Sequence, residues 1–277
     1  MLTLISLAIG SSCNQDKTEP EMNTNEYRLI EMVYPDSSVW TYSYTENDQI
    51  SKITNTYGME FEHIYEPDGR FKMIIFNPEN YVETYHYIDT TLAYITFNMY
   101  NCDTAYVVFN EQSQIDQIIE TFRDSDERIT KNYKYGSDGF LLKYTFIDSL
   151  DADQVIMDTT IYHWEPNGNI LGYNRVRYSK NIETMFKSSE INAQFEHDSY
   201  INYMKTTRTP YYYYLYHYYL SDHLSNYVST NNVSKISYSS DTIRNEYTFT
   251  TLEHDGVLPT KIQAYDGVYT LTYEKVE

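Results

Sequence analysis

The side chains able to carry chemistry are seven histidines, forty acids, two cysteines and one dense block of tyrosines. A zinc site takes His, Cys or carboxylate ligands that are commonly paired at short spacing on one helix or hairpin. No His-x-x-x-His pair occurs, and the triplets Glu196-His197-Asp198 and Glu253-His254-Asp255 fall in turn sequences that account for them. The acidic stretches 124–127 and 148–153 lack the Asp-x-Asp-x-Asp-Gly spacing of a calcium loop. Phosphate-binding Gly-rich loops and the Gly-x-Ser-x-Gly elbow are absent from the sequence. The expectation is therefore no metal and no cofactor. Cys102 reads as a small, partly buried residue, since no histidine base can be assigned to it. Glycoside hydrolysis needs two carboxyls that are close in space rather than in sequence. Forty acids do not identify such a pair, so a polysaccharide hydrolase stands as the alternative to a binding role. The tyrosine block, "TPYYYYLYHYYL", would as a strand point Tyr212, Tyr214, Tyr216 and Tyr218 to one side. That row is either an aromatic platform for sugars or part of a central strand covered on both faces.

Forty acidic against twenty basic residues give a formal charge of −20. Such a surface repels phosphate backbones and excludes nucleic acid as a partner. Hydrophobic residues make up 41% of the 277, which suffices for a sizeable core. Tyrosine is the outlier, with 33 against 11 Phe and 2 Trp. Its ring packs across strands while its hydroxyl tolerates water, so a Tyr-rich, Gly-poor chain reads as many strands with modest turns.

What would position these groups is a recurring phrase. An aromatic is followed by a turn and then by an apolar alternation. It appears as "YTENDQISKI" from Tyr44, "YEPDGRFKMI" from Tyr65, "FNEQSQIDQI" from Phe109, "YGSDGFLLKY" from Tyr135, "WEPNGNILGY" from Trp164, "FEHDSYINYM" from Phe195 and "LEHDGVLPTKI" from Leu252. Fainter copies begin at Tyr87 and near Tyr219. Asp68-Gly69, Asp138-Gly139, Asn167-Gly168 and Asp255-Gly256 supply the turn chemistry. Asp or Asn bonds back to its own backbone, and Gly provides the left-handed residue that closes a short hairpin loop. Each copy thus ends one strand and begins the next, which predicts about fifteen to eighteen strands. A short helix is expected at 179–194. The fold class that follows is all-β: a long antiparallel meander of repeated hairpins, curled into a barrel-like shell or a two-layer sheet, because a flat sheet that wide would leave long open edges.

The N-terminal "MLTLISLAIGSSC" is an apolar run too short to span a bilayer. Small residues ahead of Cys13 resemble the lipobox of bacterial lipoproteins. That resemblance implies a signal peptide at 1–12, a lipid on Cys13 and a flexible polar tether over 13–26, with one repeat-built domain at 27–277. The repeated phrase resembles the YD or Rhs-type repeat, above all as found in Bacteroidota lipoproteins of unknown function. The C-terminal stretch Asn231–Tyr265 carries the likeness most strongly, with Asn231-Asn232-Val233, Lys235-Ile236, Asp255-Gly256 and Pro259-Thr260-Lys261-Ile262. The resemblance implies an antiparallel β repeat fold and an outer-membrane lipoprotein facing the periplasm or the exterior, and it implies no catalytic residues. The expected function is a non-catalytic binding or scaffold module of the cell envelope, with the membrane and a glycan or envelope protein as partners.

Overall fold

The computed structural model describes residues 26–89, 91–98, 102–122, 127–149, 154–181, 184–207, 229–240 and 242–276. The chain runs through β1 (Tyr27–Val33), β2 (Val39–Tyr44), β3 (Ile50–Asn55), β4 (Glu60–Tyr65), β5 (Phe71–Asn77), β6 (Tyr81–Ile88), β7 (Thr91–Phe97), β8 (Cys102–Phe109) and β9 (Ile115–Phe122). It continues through β10 (Arg128–Tyr135), β11 (Leu141–Ser149), β12 (Gln154–Trp164), β13 (Ile170–Asn181), β14 (Thr184–Ile201) and a short 3-10 turn at Tyr203–Thr207. The last five strands are β15 (Asn231–Ser240), β16 (Arg244–Thr248), β17 (Thr250–Asp255), β18 (Leu258–Ala264) and β19 (Gly267–Lys275).

Each strand from β1 to β15 pairs antiparallel with its successor. β17, β18 and β19 pair likewise, and β19 returns to β1 through Tyr27↔Lys275 to Val33↔Thr270. The meander therefore bites its own tail. β16 and β17 are separated only by Phe249, whose N–H donates to the Ser234 carbonyl. The first half of this strand pairs with β15 and the second with β18, so the wall is nearly closed into a barrel.

Alternation fills the inside. Phe71, Ile74, Ile95, Ile118, Leu141 and Ile170 point inward and are almost fully buried. Two clusters form, one on β5–β15 and one on β1–β3, β18 and β19, and Phe249 packs against both. Inward tyrosines cross the wall in steps: Tyr133 lies 5.3 Å from Tyr144, Tyr162 6.2 Å from Tyr173, and Tyr173 6.0 Å from Phe195, centroid to centroid. Each ring lands on its neighbour across the strand, where such pairs add to the burial of their area.

One expectation is corrected. The described residues of 179–194 form no helix but strand, with β13 and β14 paired up to Asn181 opposite Thr184. Met185 and Phe186 are half exposed there, so a helix would have gained little packing from them. The phrase at Phe195 likewise makes no hairpin, because β14 runs on through it to Ile201. The faint copy near Tyr219 lies outside the described residues.

Candidate functional site

Antiparallel alternation brings the turns of the phrase to one rim. The loops 45–49, 66–70, 110–114, 136–140 and 165–169 share one pattern: the first N–H bonds to the fifth carbonyl, and the fourth N–H bonds back to the first carbonyl. Ladder register shifts beside each loop, as a hairpin with a one-residue bulge requires. Gly69, Gly139 and Gly168 hold the left-handed position at φ of 85°, 84° and 89°. Asp68, Asp138 and Asn167 each accept the N–H two residues on through Oδ1, at 3.2, 3.2 and 3.1 Å. Gly256 has φ 58° in the loop between Asp255 and Leu258. Asp48 and Ser113 take the left-handed position without glycine, at φ 59° in both cases. Ser113→Gly is therefore expected to stabilise the protein by about 0.5–1 kcal/mol in a denaturant titration, because it removes a Cβ from an unfavourable backbone region.

Successive turns are tied together. The Gln49 amide donates to the Gly69 carbonyl at 2.7 Å, Gln114 to Gly139 at 3.1 Å, and Arg70 to Asp89 at 2.6 Å. Phe140 stacks on Trp164 at 4.7 Å. The aromatic opening a phrase also reaches back one unit: Tyr44 donates to the Leu29 carbonyl, Tyr65 to Ile50, and Trp164 Nε1 to Leu141. The repeated phrase thus encodes both a turn and the joint to the next turn.

Inside the wall, β9 to β13 carry charge. Asp158 is almost fully buried and accepts from Arg175 at 2.7 Å and from Arg177 at 2.9 and 2.8 Å. Burial alone would raise its pKa, but the hydrogen bonds from Arg177 and Arg175 outweigh burial and hold the carboxyl below the usual range. Lys131 and Glu120 form a second buried pair. Asp148 has a pKa raised by burial and by the neighbouring Glu127 and Glu120. Glu120 thus meets Lys131 and Asp158 meets Arg175 and Arg177, while the charges beside Asp148 are those of Glu120 and Glu127. Buried Glu83 accepts from the Tyr81 and Tyr85 hydroxyls at 2.8 and 2.9 Å. Glu120 and Asp158 are engaged by internal cations and Glu83 by two tyrosine hydroxyls, whereas Asp148 Oδ1 is buried without a hydrogen-bond partner among the described residues.

His197 Nε2 lies 3.3 Å from the Ser229 hydroxyl. A serine nucleophile needs access and an aligned base. Ser229 is fully buried, its oxygen accepts the Ile170 N–H at 3.1 Å, and its carbonyl accepts from Asn202 at 3.0 Å. This pair fastens 229–232 to the start of β13. Among the described residues no group of three or more His, Cys, Asp or Glu could hold a metal ion. His254 is used by its own turn, with Nδ1 2.9 Å from the Gly256 carbonyl.

The outer face offers a different surface. On β6, β7 and β8 the residues opposite the buried Tyr85, Ile95 and Ala105 point outward. His86 pairs with Tyr94 and Tyr94 with Tyr106. His86 stacks on Tyr94 at 4.4 Å, Tyr106 follows at 6.2 Å, and Tyr106 is 49% exposed. One row over, Thr84, Thr96, Thr104 and Thr121 stand side by side on β6 to β9. His86 Nε2 lies 3.0 Å from the Thr96 hydroxyl. An aromatic strip beside a hydroxyl row can stack on an apolar ring face while bonding to its edge. Neither row contains an acid, although the chain carries −20. Sequence reasoning missed this strip; strand parity was the available signal, since Tyr94 and Tyr106 fall out of phase with Ile95, Ala105 and Val107. The expected platform, Tyr212, Tyr214, Tyr216 and Tyr218, and the expected lipid site, Cys13, with the segments 1–12 and 13–25, lie outside the described residues. The Cys102 side chain does too.

No family model matches the sequence, and no curated protein matches it. Among solved structures, the fold is similar to a porin-like protein from Bacteroides vulgatus, with TM-score 0.48 and 10% identity over 90% of this chain and 100% of the other. A porin-like protein from Bacteroides uniformis is similar with TM-score 0.46 and 14% identity, covering 90% and 96%. A TcdB2-TccC3 structure aligns with TM-score 0.30 and 10% identity, covering 83% of this chain and 14% of that one.

Proposed function

We propose that this protein is a cell-envelope lipoprotein, held at the outer membrane through lipid on Cys13, that works as a non-catalytic binding module with a neutral glycan as its ligand. The observation that carries the reading is the acid-free strip of His86, Tyr94 and Tyr106 beside the threonine row on the outer wall. Rings stack on sugar faces and hydroxyls bond to sugar edges. The wall supports such a role because two apolar clusters fill its inner face beside the buried charges of β9 to β13 and hold the strands that carry the outward strip in register.

The test is retention of the whole protein on immobilised neutral polysaccharides, with release of reducing ends measured in parallel. Binding without release is expected, and Tyr106→Ala is expected to weaken it on the order of tenfold, equivalent to about 1.4 kcal/mol. Unchanged retention in that variant overturns the assignment of the strip. Release of sugar that disappears on removing two facing carboxylates favours the hydrolase instead. Mass spectrometry of the mature N-terminus checks the anchor, with an acylated Cys13 as the expected end group.

A further inference from the structure

The aromatic strip does not stop at Tyr106. Residues directly opposite each other on antiparallel strands share a face. Tyr106 is opposite Ile119, Ile119 opposite Thr130, and Thr130 opposite Ile147. Ile147 is in turn opposite Met157, and Met157 opposite Tyr178. The neighbouring residues Ile118, Lys131 and Asp158 are the buried ones, so this row faces outward. A single row of side chains therefore crosses the wall from His86 on β6 to Tyr178 on β13. Seven strand spacings of ~4.8 Å make it about 34 Å long.

Both flanks of the row are polar. On one side the threonines of β6 to β9 continue through Arg128 to Ser149. On the other, Gln117, Asn132, Thr145 and Thr159 stand in register on β9 to β12, and the Gln117 amide donates to Asn132 at 2.8 Å. No Asp or Glu stands in these three rows between β6 and β13, in a chain of forty acids. The rows end where that composition ends. Opposite Tyr178 and Val176 on β14 are Lys187 and Glu190, which are ion-paired with each other. β15 joins β14 only from Ile191 onward, so among the described residues Thr184–Glu190 is paired on its β13 side alone. At the other end the β5–β6 ladder stops at Met73↔Thr84, one row short of His86.

The shape of the band selects its occupant. A protein interface has an apolar core several side chains across, inside a polar rim. Here the apolar row is one side chain wide, about the width of a sugar ring, with hydroxyls and amides along both sides. A sugar chain lying on it would place ring faces on the row and ring hydroxyls on the flanks. Given a neutral glycan at the strip, on which this rests, we infer that the site is a track: a neutral polysaccharide lies across β6–β13, at right angles to the strands, and is held by an internal stretch rather than by its end. A sugar in an extended chain advances by about one strand spacing, so the track takes about seven or eight units.

The experiment is calorimetric titration of the full chain with size-fractionated oligosaccharides cut from dextran, β-1,3-glucan and galactomannan. For the sugar that binds, affinity is expected to rise at least about tenfold from two units to eight and then to level off. Tyr178→Ala is expected to weaken the eight-unit oligomer about fivefold and to leave the two-unit one unchanged, whereas Tyr106→Ala weakens both. Tyr178→Phe, which keeps the ring, should bind as wild type does. If Tyr178→Ala does not fold, Met157→Ala gives the same reading. A two-unit oligomer that binds as tightly as the eight-unit one confines the ligand to His86, Tyr94 and Tyr106. So does long-chain binding that is lost in Tyr106→Ala and intact in Tyr178→Ala. Either result overturns the track and leaves the glycan reading standing, while no binding at any length overturns both.

Discussion

Asp158→Ala is expected to be among the most damaging single changes outside the apolar core, lowering stability by about 3 kcal/mol or more. The carboxylate is 1% exposed and accepts three hydrogen bonds from Arg175 and Arg177. Its removal leaves the largely buried Arg175 guanidinium, 15% exposed, without its counter-charge, while Arg177, 44% exposed, keeps access to water, and the cost at Arg175 outweighs any small gain from a shorter side chain. In a domain of this size the loss corresponds to a fall of about 6–12 °C in Tm. The pH dependence has a definite sign. The folded pKa of Asp158 lies below the ordinary aspartate value of 3.8, so its contribution is fully present above that value and is lost as pH falls through the lower, folded pKa. Wild type and Asp158→Ala should differ most at neutral pH, and the difference should shrink as pH falls below 3.8. Parallel urea titrations at pH 7 and pH 3 check this, and a constant difference between them would rule out the carboxylate as the cause.

Phe71→Ala is expected to cost about 3–5 kcal/mol. Phe71 opens β5 directly after the Asp68-Gly69 turn, is 2% exposed, and packs within 4.7 Å of Tyr65, 5.6 Å of His63 and 5.6 Å of Tyr85, centroid to centroid. The same inward place after a turn is taken by Ile50, Ile115, Leu141 and Ile170, all nearly fully buried. Truncation leaves a cavity at the joint between neighbouring units, where the Tyr65 hydroxyl also bonds to the Ile50 carbonyl at 2.6 Å. Ile88→Ala, at a 68% exposed position on the next hairpin, should change stability by less than about 0.5 kcal/mol. A comparable loss in both variants would mean that the repeat position carries no special packing.

The turns were the most legible part of the fold, because Asp-Gly and Asn-Gly state a backbone conformation in two letters. The positive φ of Asp48 and Ser113 was not visible from residue type, since neither is glycine; it follows from the place each holds in the phrase. The turn at Pro35-Asp36-Ser37, with Ser37 at φ 68°, uses the same chemistry on the opposite rim and was not counted among the copies. The stretch 179–194 holds no Asp-Gly or Asn-Gly turn, and only its pairing as β13 and β14 shows it to be strand. Asp158 could not be singled out among forty acids. Only the β12–β13 register, with Asp158 opposite Arg177 and Thr160 opposite Arg175, turns an ordinary acid into a buried ion-pair centre. The His86–Tyr94–Tyr106 strip needed the same knowledge, because three residues far apart in sequence become neighbours only when three strands are aligned.

Closure of the wall is most directly tested by site-resolved hydrogen exchange of the free protein. If β1 and β19 seal the ring, the amides of Leu29, Met32 and Leu271 exchange as slowly as those of Tyr133 and Tyr144 in the middle of the sheet, while Thr184–Glu190 exchanges fast. If Leu29, Met32 and Leu271 instead exchange at the rate of Thr184–Glu190, the first and last strands are open edges and the chain is an unclosed sheet.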